Sequence, residues 1–298
     1  MINLDIDLLR TFVTIAEAHN FTRAAERLGR TQSAISLQMR RLEEALERKL
    51  LERGPRMVKP TAEGEVLLAY ARHILRVNDE AVSRLMEPDL HGVVRLGTPE
   101  DFATIHLPEV LASFARAYPR VALEVSCDLT LNLLDRFQAG EFDLILIKRE
   151  PQGPFGGIKV WREPLVWAAL DRSLLATNDV IPLIVAPHPC VYRKRAISAL
   201  DEVRKRWRIA YTSTSLAGSH AAVRAGLGVT VLPKDMVPQG FQVLGPNDGL
   251  PELHDTEIAM KIAPGMPSKP TERLADHIFR TLEVADQIKR PVGTPGNR

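Results

Sequence analysis

Between Asn20 and Leu46 apolar positions recur at helical spacing in two runs separated by a glycine. Ala24, Ala25 and Leu28 mark the first run; Ile35, Met39, Leu42 and Leu46, three and four residues apart, mark the second. Thr22 and Thr31 stand at the two expected starts, where a threonine hydroxyl caps free N–H groups, and Gly29 supplies the left-handed residue that ends the first helix. The alanine pair lets two helices cross closely over a short turn. The spacing predicts a helix-turn-helix. Its second helix exposes Gln32, Ser33, Ser36, Gln38, Arg40 and Arg41, side chains that reach base edges and phosphates. A solvated helical hairpin shares the same periodicity.

The flanking pattern extends this unit. Asp5 or Asp7 caps an earlier helix with Leu8, Leu9, Phe12, Val13, Ile15 and Ala16 on its apolar face. Leu50–Arg53 and Met57–Pro60 read as a hairpin around Gly54-Pro55-Arg56, a wing with arginines beside its turn. Arginine is drawn to the negative potential of a minor groove. Thr61 then caps a long helix to about Leu85. Leu67, Ala71, Ile74, Asn78, Ala81 and Leu85 step along it by threes and fours, a seam suited to a second copy of itself. Pro88 and Gly92 end that helix. From Val93 onward short apolar strands alternate with helices, which predicts open, mostly parallel sheets in two small subdomains.

Charge sharpens the reading. The whole chain of 298 residues carries a formal net charge of only +2. Residues 20–60, however, hold ten Lys and Arg against five Glu, which suits a polyanionic partner. The chain has two cysteines, Cys127 and Cys190, and so no disulfide framework. Cys127 is expected in a buried strand and Cys190 at a structural strand-to-helix corner rather than in a redox switch. The N-terminus lacks a basic and apolar leader, and no apolar run matches a bilayer, so a cytoplasmic protein with no membrane partner is expected. The histidines show no paired ligand spacing, and no nucleophile elbow, phosphate loop or dinucleotide fingerprint occurs. Neither enzyme, cofactor nor metal is expected.

Phe21-Thr22-Arg23-Ala24-Ala25, Gln32-Ser33-Ala34-Ile35-Ser36, Arg41-Leu42-Glu43, Arg53 and Thr61-Ala62-Glu63-Gly64 together resemble the LysR-type transcriptional regulators. The likeness is close over the N-terminal module and looser through most of the remainder. Ser33 stands where the family often has Pro, and Leu51 where it often has Phe. The resemblance implies a multidomain α+β fold: a winged helix-turn-helix over residues 1–60, a linker and dimerisation helix over 61–91, and an effector domain over 92–290. That domain would have two α/β lobes like a periplasmic binding protein, lobe I about 92–162 and 266–290, lobe II about 163–265, crossing near Arg162–Val166 and near Met260–Pro264. Residues 291–298 would be a disordered tail. The implied partners are double-stranded DNA with an interrupted palindrome, a small-molecule effector of unknown identity, and a homodimer assembling as a dimer of dimers. Gln32, Ser33 and Ser36 would face bases, Thr22, Thr31, Arg40 and Arg53 would hold phosphates, and Arg56 would lie near the minor groove.

Open α/β sheets bind ligands beyond the carboxyl ends of their strands. That rule singles out Thr98, Glu100, Asp101 and Phe102, then Asp128 to Thr130, then Arg149, then Ser213, Thr214 and Ser215. The resemblance places an effector cleft at the same loops. Helix capping alone would also account for Thr130 and Ser215. Glu100 and Asp101 would repel an anionic effector and Arg149 would attract it, so the ligand's sign stays open. A solute-binding or enzymatic lobe pair with an accessory helix-turn-helix is the competing reading.

Overall fold

The computed structural model describes residues 3–54, 57–87, 89–151, 153–176 and 180–288. The chain forms two compact units, one built on the segment up to Leu90 and one running from His91 to Leu282 apart from Ser113–Pro119.

In the first unit, α1 (Ile6–Ala18) begins at Asp5, whose carboxylate accepts the N–H of Asp7 at 2.7 Å. The second helix, α2 (Phe21–Leu28), is capped by Asn20 and not by the expected Thr22. Asn20 has the extended backbone a cap requires, and its side-chain oxygen accepts the Arg23 N–H at 3.1 Å. Phe21 is buried and so holds the helix start one residue earlier, leaving Thr22 exposed in the first turn. Gly29 adopts the expected left-handed conformation at φ +59°. Thr31 caps α3 (Gln32–Leu46) through the Ala34 N–H at 3.2 Å. Ile35, Met39 and Leu42 pack with Leu9, Phe12, Ile15, Ala24 and Ala25 in one core, with Leu46 at its margin.

Strands β1 (Leu51–Arg53) and β2 (Val58–Pro60) form the antiparallel wing. The expected tip residue Arg56 lies outside the described residues, as do the tail residues 291–298. Glu43 on α3 holds the wing's entry by accepting the Leu50 N–H at 2.9 Å. Thr61 caps α4 (Ala62–Met86) through the Gly64 N–H at 2.9 Å. A Cβ on Gly64 would lie 2.1 Å from the Leu50 carbonyl oxygen, so only glycine allows α4 to start so close to the wing.

The seam expected on α4 is partly occupied within the chain. Ala71 is fully buried with Leu68 and Leu75, and Leu67 and Ile74 pack against the same core. Three short helices cannot close a core alone, and α4 supplies the missing wall. Of the expected apolar seam Leu85 stays exposed, and the other large apolar side chains that α4 exposes are Val66, Tyr70, Val77, Val82 and Met86.

The second unit is two-lobed. Lobe I carries β3 (Gly92–Thr98), α5 (Glu100–Ile105), α6 (Leu107–Ala117), β4 (Val121–Cys127), α7 (Thr130–Gln138), β5 (Leu144–Arg149) and β6 (Ile158–Glu163). After Pro164 the chain enters lobe II: β7 (Leu165–Ala169), α8 (Ser173–Ala176), β8 (Ile181–Val185), α9 (Val191–Glu202), β9 (Trp207–Thr212), α10 (Leu216–Arg224), β10 (Thr230–Pro233) and β11 (Gln242–Leu244). It returns to lobe I as β12 (Thr256–Ile262) and ends in α11 (Lys269–Ile288).

The lobe I sheet has the order β4-β3-β5-β12-β6. Lobe II pairs β10-β7-β11 and β8-β9, joined by a parallel bridge between Leu183 and Val229. The first crossing falls where expected, at Pro164. The second does not. All of β12 lies between β5 and β6, where buried Ile258, Ala259 and Met260 fill the sheet, so the chain recrosses before Thr256. Lobe II accordingly ends near Asp255 and not near residue 265. The sheets are mixed rather than mostly parallel, because β12 runs antiparallel to both β5 and β6, and β7 antiparallel to both β10 and β11.

Candidate DNA-reading face and effector cavity

Exposed on α3 are Gln32, Ser33, Leu37, Arg40 and Arg41, then Glu44 and Ala45 nearer its C-terminus, with Ser36 partly exposed. One helix face thus presents them all, and the opposite face is core. The Thr31 and Ser33 hydroxyls lie 3.0 Å apart, which orients Ser33 at the helix start. Gln38 departs from expectation. Its side-chain oxygen accepts the Thr11 hydroxyl at 2.9 Å and ties α3 to α1. Leu37 is 47% exposed among these polar side chains, an apolar residue that the spacing of Ile35, Met39 and Leu42 leaves off the core face. Arg53 ends β1, and its side chain lies outside the described ones.

In the second unit a cavity of about 520 Å3 opens between the lobes. The loops after β3 and β4 bring Glu100, Asp101, Asp128 and Thr130 to its lobe I side, and Lys148 near the end of β5 joins them. Opposite stand Ser213, Thr214, Ser215 and Ser219 at the start of α10, with Cys190, Tyr192 and Arg193 from α9 and its cap. Of the residues expected here, Glu100, Asp101, Thr130, Ser213, Thr214 and Ser215 are brought together.

Thr98, Phe102 and Arg149 are not among the lining residues. Thr98 and Phe102 are fully buried, Phe102 with its ring 6.4 Å from that of Trp161. Strand alternation sends Arg149 to the other side of β5 from Lys148. There it pairs with Glu257 at 3.2 Å and donates to the Gly156 carbonyl at 2.7 Å. Lys148, and not the expected Arg149, is the cation that β5 brings to the cavity, a shift of one residue that reverses the face.

Lys148 is enclosed. Its ammonium pairs with Asp101 and sits 3.7 Å from the centre of the Tyr192 ring. The Tyr192 hydroxyl donates to Glu163 at 2.9 Å, as does Thr256. Glu163 is fully buried, and burial pushes its carboxyl up to about 7 although Lys148 pulls the other way. The Tyr192 hydroxyl is raised by the same burial and by the carboxylates beside it.

Both cysteines line the cavity, and the expectation for Cys127 fails: it ends the edge strand β4 and is exposed. Partial burial raises its thiol, and Glu100 and Asp101 add to the shift.

Two family descriptions match. Residues 6–65 match the bacterial regulatory helix-turn-helix protein of the lysR family, and residues 88–282 match the LysR substrate binding domain. The chain belongs to the LysR family: it is a DNA-binding transcriptional regulator with an effector-binding domain. It is 38% identical over 282 residues to the HTH-type transcriptional regulator DgdR of Burkholderia cepacia, covering 95% of this chain and 96% of that one. It is 35% identical over 283 residues to PecT of Dickeya dadantii (strain 3937), covering 95% and 88%. Full-length BenM shares the fold at a TM-score of 0.54 and 21% identity, covering 97% of this chain and 100% of that one. Among the described residues no helix is long and apolar enough to cross a membrane.

Proposed function

We propose that this regulator binds an interrupted palindrome as a homodimer, assembling further as a dimer of dimers, and that a small molecule in the lobe cavity sets its DNA-bound arrangement. Gln32, Ser33 and Ser36 face base edges. Thr22, Thr31 and Arg40 hold phosphates. Leu37 joins the base-facing group through apolar contact with a thymine methyl. The exposed α4 stripe of Val66, Tyr70, Val77 and Leu85 supports pairing of two chains, since isolated helices with such stripes require a partner surface. The protein works where chromosomal DNA is, in the cytoplasm, and catalyses no reaction.

The observation that carries the effector reading is the cavity, spanned by a hydrogen bond of 2.9 Å from the Leu216 N–H of lobe II to Glu100 of lobe I. A ligand that changes this contact favours one lobe arrangement over another. Footprinting on the DNA upstream of the protein's own gene tests the whole reading. It is expected to show two protected half-sites with related inverted sequences. Protection without sequence preference would favour a solute-binding lobe pair with an accessory helix-turn-helix.

A further inference from the structure

The sign of the cavity's charge is decided by which cations reach it. Lobe I presents three carboxylates, Glu100, Asp101 and Asp128. Lys148 is committed to Asp101 and to the ring face of Tyr192, with side chains of the ion pair only 10% and 12% exposed. Arg149 is absent from the lining and held by Glu257. Arg193 remains, donating to the Ala186 carbonyl at 3.3 Å. Behind Lys148 and Tyr192, Glu163 is fully buried, and its Oε1 makes no hydrogen bond. The buried group therefore holds two carboxylates, Asp101 and Glu163, to one ammonium.

Burial raises the Cys127 thiol and the Tyr192 hydroxyl, and neighbouring carboxylates add to both shifts; burial also raises Glu163, with Lys148 pulling against it. Glu100 and Asp128 both line the cavity and follow β3 and β4, whose last residues Thr98 and Cys127 lie opposite each other in register. Asp128 accepts from the Leu129 N–H and the Asn132 amide, both at 2.7 Å, with Arg136 at 3.7 Å.

We propose that the effector carries a protonated primary amine, held by Glu100 and Asp128, on a compact apolar body packed against Leu129, Ile184 and Val231. This rests on the reading of the cavity as the effector site. With Asp101 committed to Lys148, a carboxylate alone would meet Glu100 and Asp128. An ammonium is matched by the carboxylates and donates its remaining N–H groups to hydroxyls such as Ser213 and Thr130. It also competes with the Leu216 N–H for Glu100, and so couples occupancy to the contact between lobes.

The test is calorimetry on the full-length protein with isoamylamine, L-leucine and 4-methylpentanoate. These place ammonium alone, both charges, or carboxylate alone on one branched body. At least one of the two ammonium compounds is expected to bind, and 4-methylpentanoate is not. Glu100→Gln and Asp128→Asn, each confirmed folded by retained operator binding, are expected to weaken the amine by roughly tenfold or more. Binding of the carboxylate in preference to both amines, or amine binding unchanged in both variants, overturns the proposal. A broader screen of small cations and anions by native mass spectrometry separates the two failures. Anions alone binding leaves the cavity reading intact and removes the amine. Nothing binding at all, while operator binding persists, removes both.

Discussion

Glu100 of lobe I accepts the N–H of Leu216, the first residue of α10 in lobe II, at 2.9 Å. A helix N-terminus favours a carboxylate, and hydrogen bonds to charged groups are stronger than neutral ones. A second carboxylate works the same way. Glu150, after β5, meets Lys194 of α9 at 2.7 Å, and that contact holds its carboxyl below the usual range. Both contacts join the lobes from lobe I acids, so the lobe arrangement depends on groups that ligands and solvent can reach.

Removing the first contact loosens α10. Glu100→Ala deletes a charge-assisted hydrogen bond of about 1.5–3 kcal/mol. Hydrogen exchange at the Leu216 amide is expected to speed up, while Glu124→Ala on exposed β4 leaves it unchanged. Equal protection in Glu100→Ala and the parent would show that the contact does not hold the lobes.

Base reading by α3 is testable one residue at a time. Gln32→Ala and Ser36→Ala are expected to lose about 1–3 kcal/mol of discrimination at single operator positions. Arg40→Ala should weaken all sequences alike and lower the salt slope by about one. Replacing operator thymines with uracil removes only the methyl groups. It should weaken the parent at one position per half-site and leave Leu37→Ala indifferent there. Equal uracil sensitivity in both proteins would remove Leu37 from the interface.

The α4 stripe separates dimerisation from folding. Val66→Asp with Val77→Asp places charge on exposed positions, so the chain should fold but elute as a monomer and lose high-affinity operator binding. Leu67→Asp with Ile74→Asp strikes side chains packed on the first unit's own core and should instead lower the melting temperature. A dimeric Val66/Val77 double variant with normal operator affinity would refute the stripe's role.

Glu163 imposes a pH dependence on stability. Its folded carboxyl titrates at about 7 against an ordinary 4.5. Between those values the folded chain binds more protons than the unfolded one, so stability falls as pH rises through the window, and the loss is complete above it. Glu17, also raised to about 7 by burial, acts with the same sign. Glu163 is surrounded by Lys148, Asp101, Tyr192 and Thr256, and glutamine still accepts from the two hydroxyls. Glu163→Gln is expected to stabilise the protein by about 1–3 kcal/mol above neutral pH and to flatten its melting curve against pH. A variant as pH-dependent as the parent would place the titration elsewhere.

Cysteine oxidation is not expected to switch the protein. Cys127 is exposed, but partial burial, and then Glu100 and Asp101, raise its thiol and so deplete the reactive thiolate. Peroxide should leave the footprint unchanged, and Cys190→Ser should retain operator binding. A footprint shift reversed by reductant and lost in Cys190→Ser would make it a redox sensor.

The helix-turn-helix, the wing, the long helix and the alternation of strands and helices were all legible in the chain. Each rests on signals a few residues apart: periodic core positions such as Ile35, Met39 and Leu42, caps such as Thr31 and Thr61, and the left-handed Gly29. The first crossing at Pro164 and the loops of Glu100, Thr130 and Ser215 were legible for the same reason. Tertiary structure decided matters in which distant segments compete. Whether Ala71 and Ile74 face a partner or the chain's own core depends on how much apolar surface α1 to α3 leave uncovered. Whether Lys148 or Arg149 enters the cavity depends on the register of β5 against β12, where one residue reverses the face. The placement of β12 in lobe I, the exposure of Cys127 and the burial of Glu163 follow from sheet order, because pairing between strands a hundred residues apart leaves no local trace in the chain.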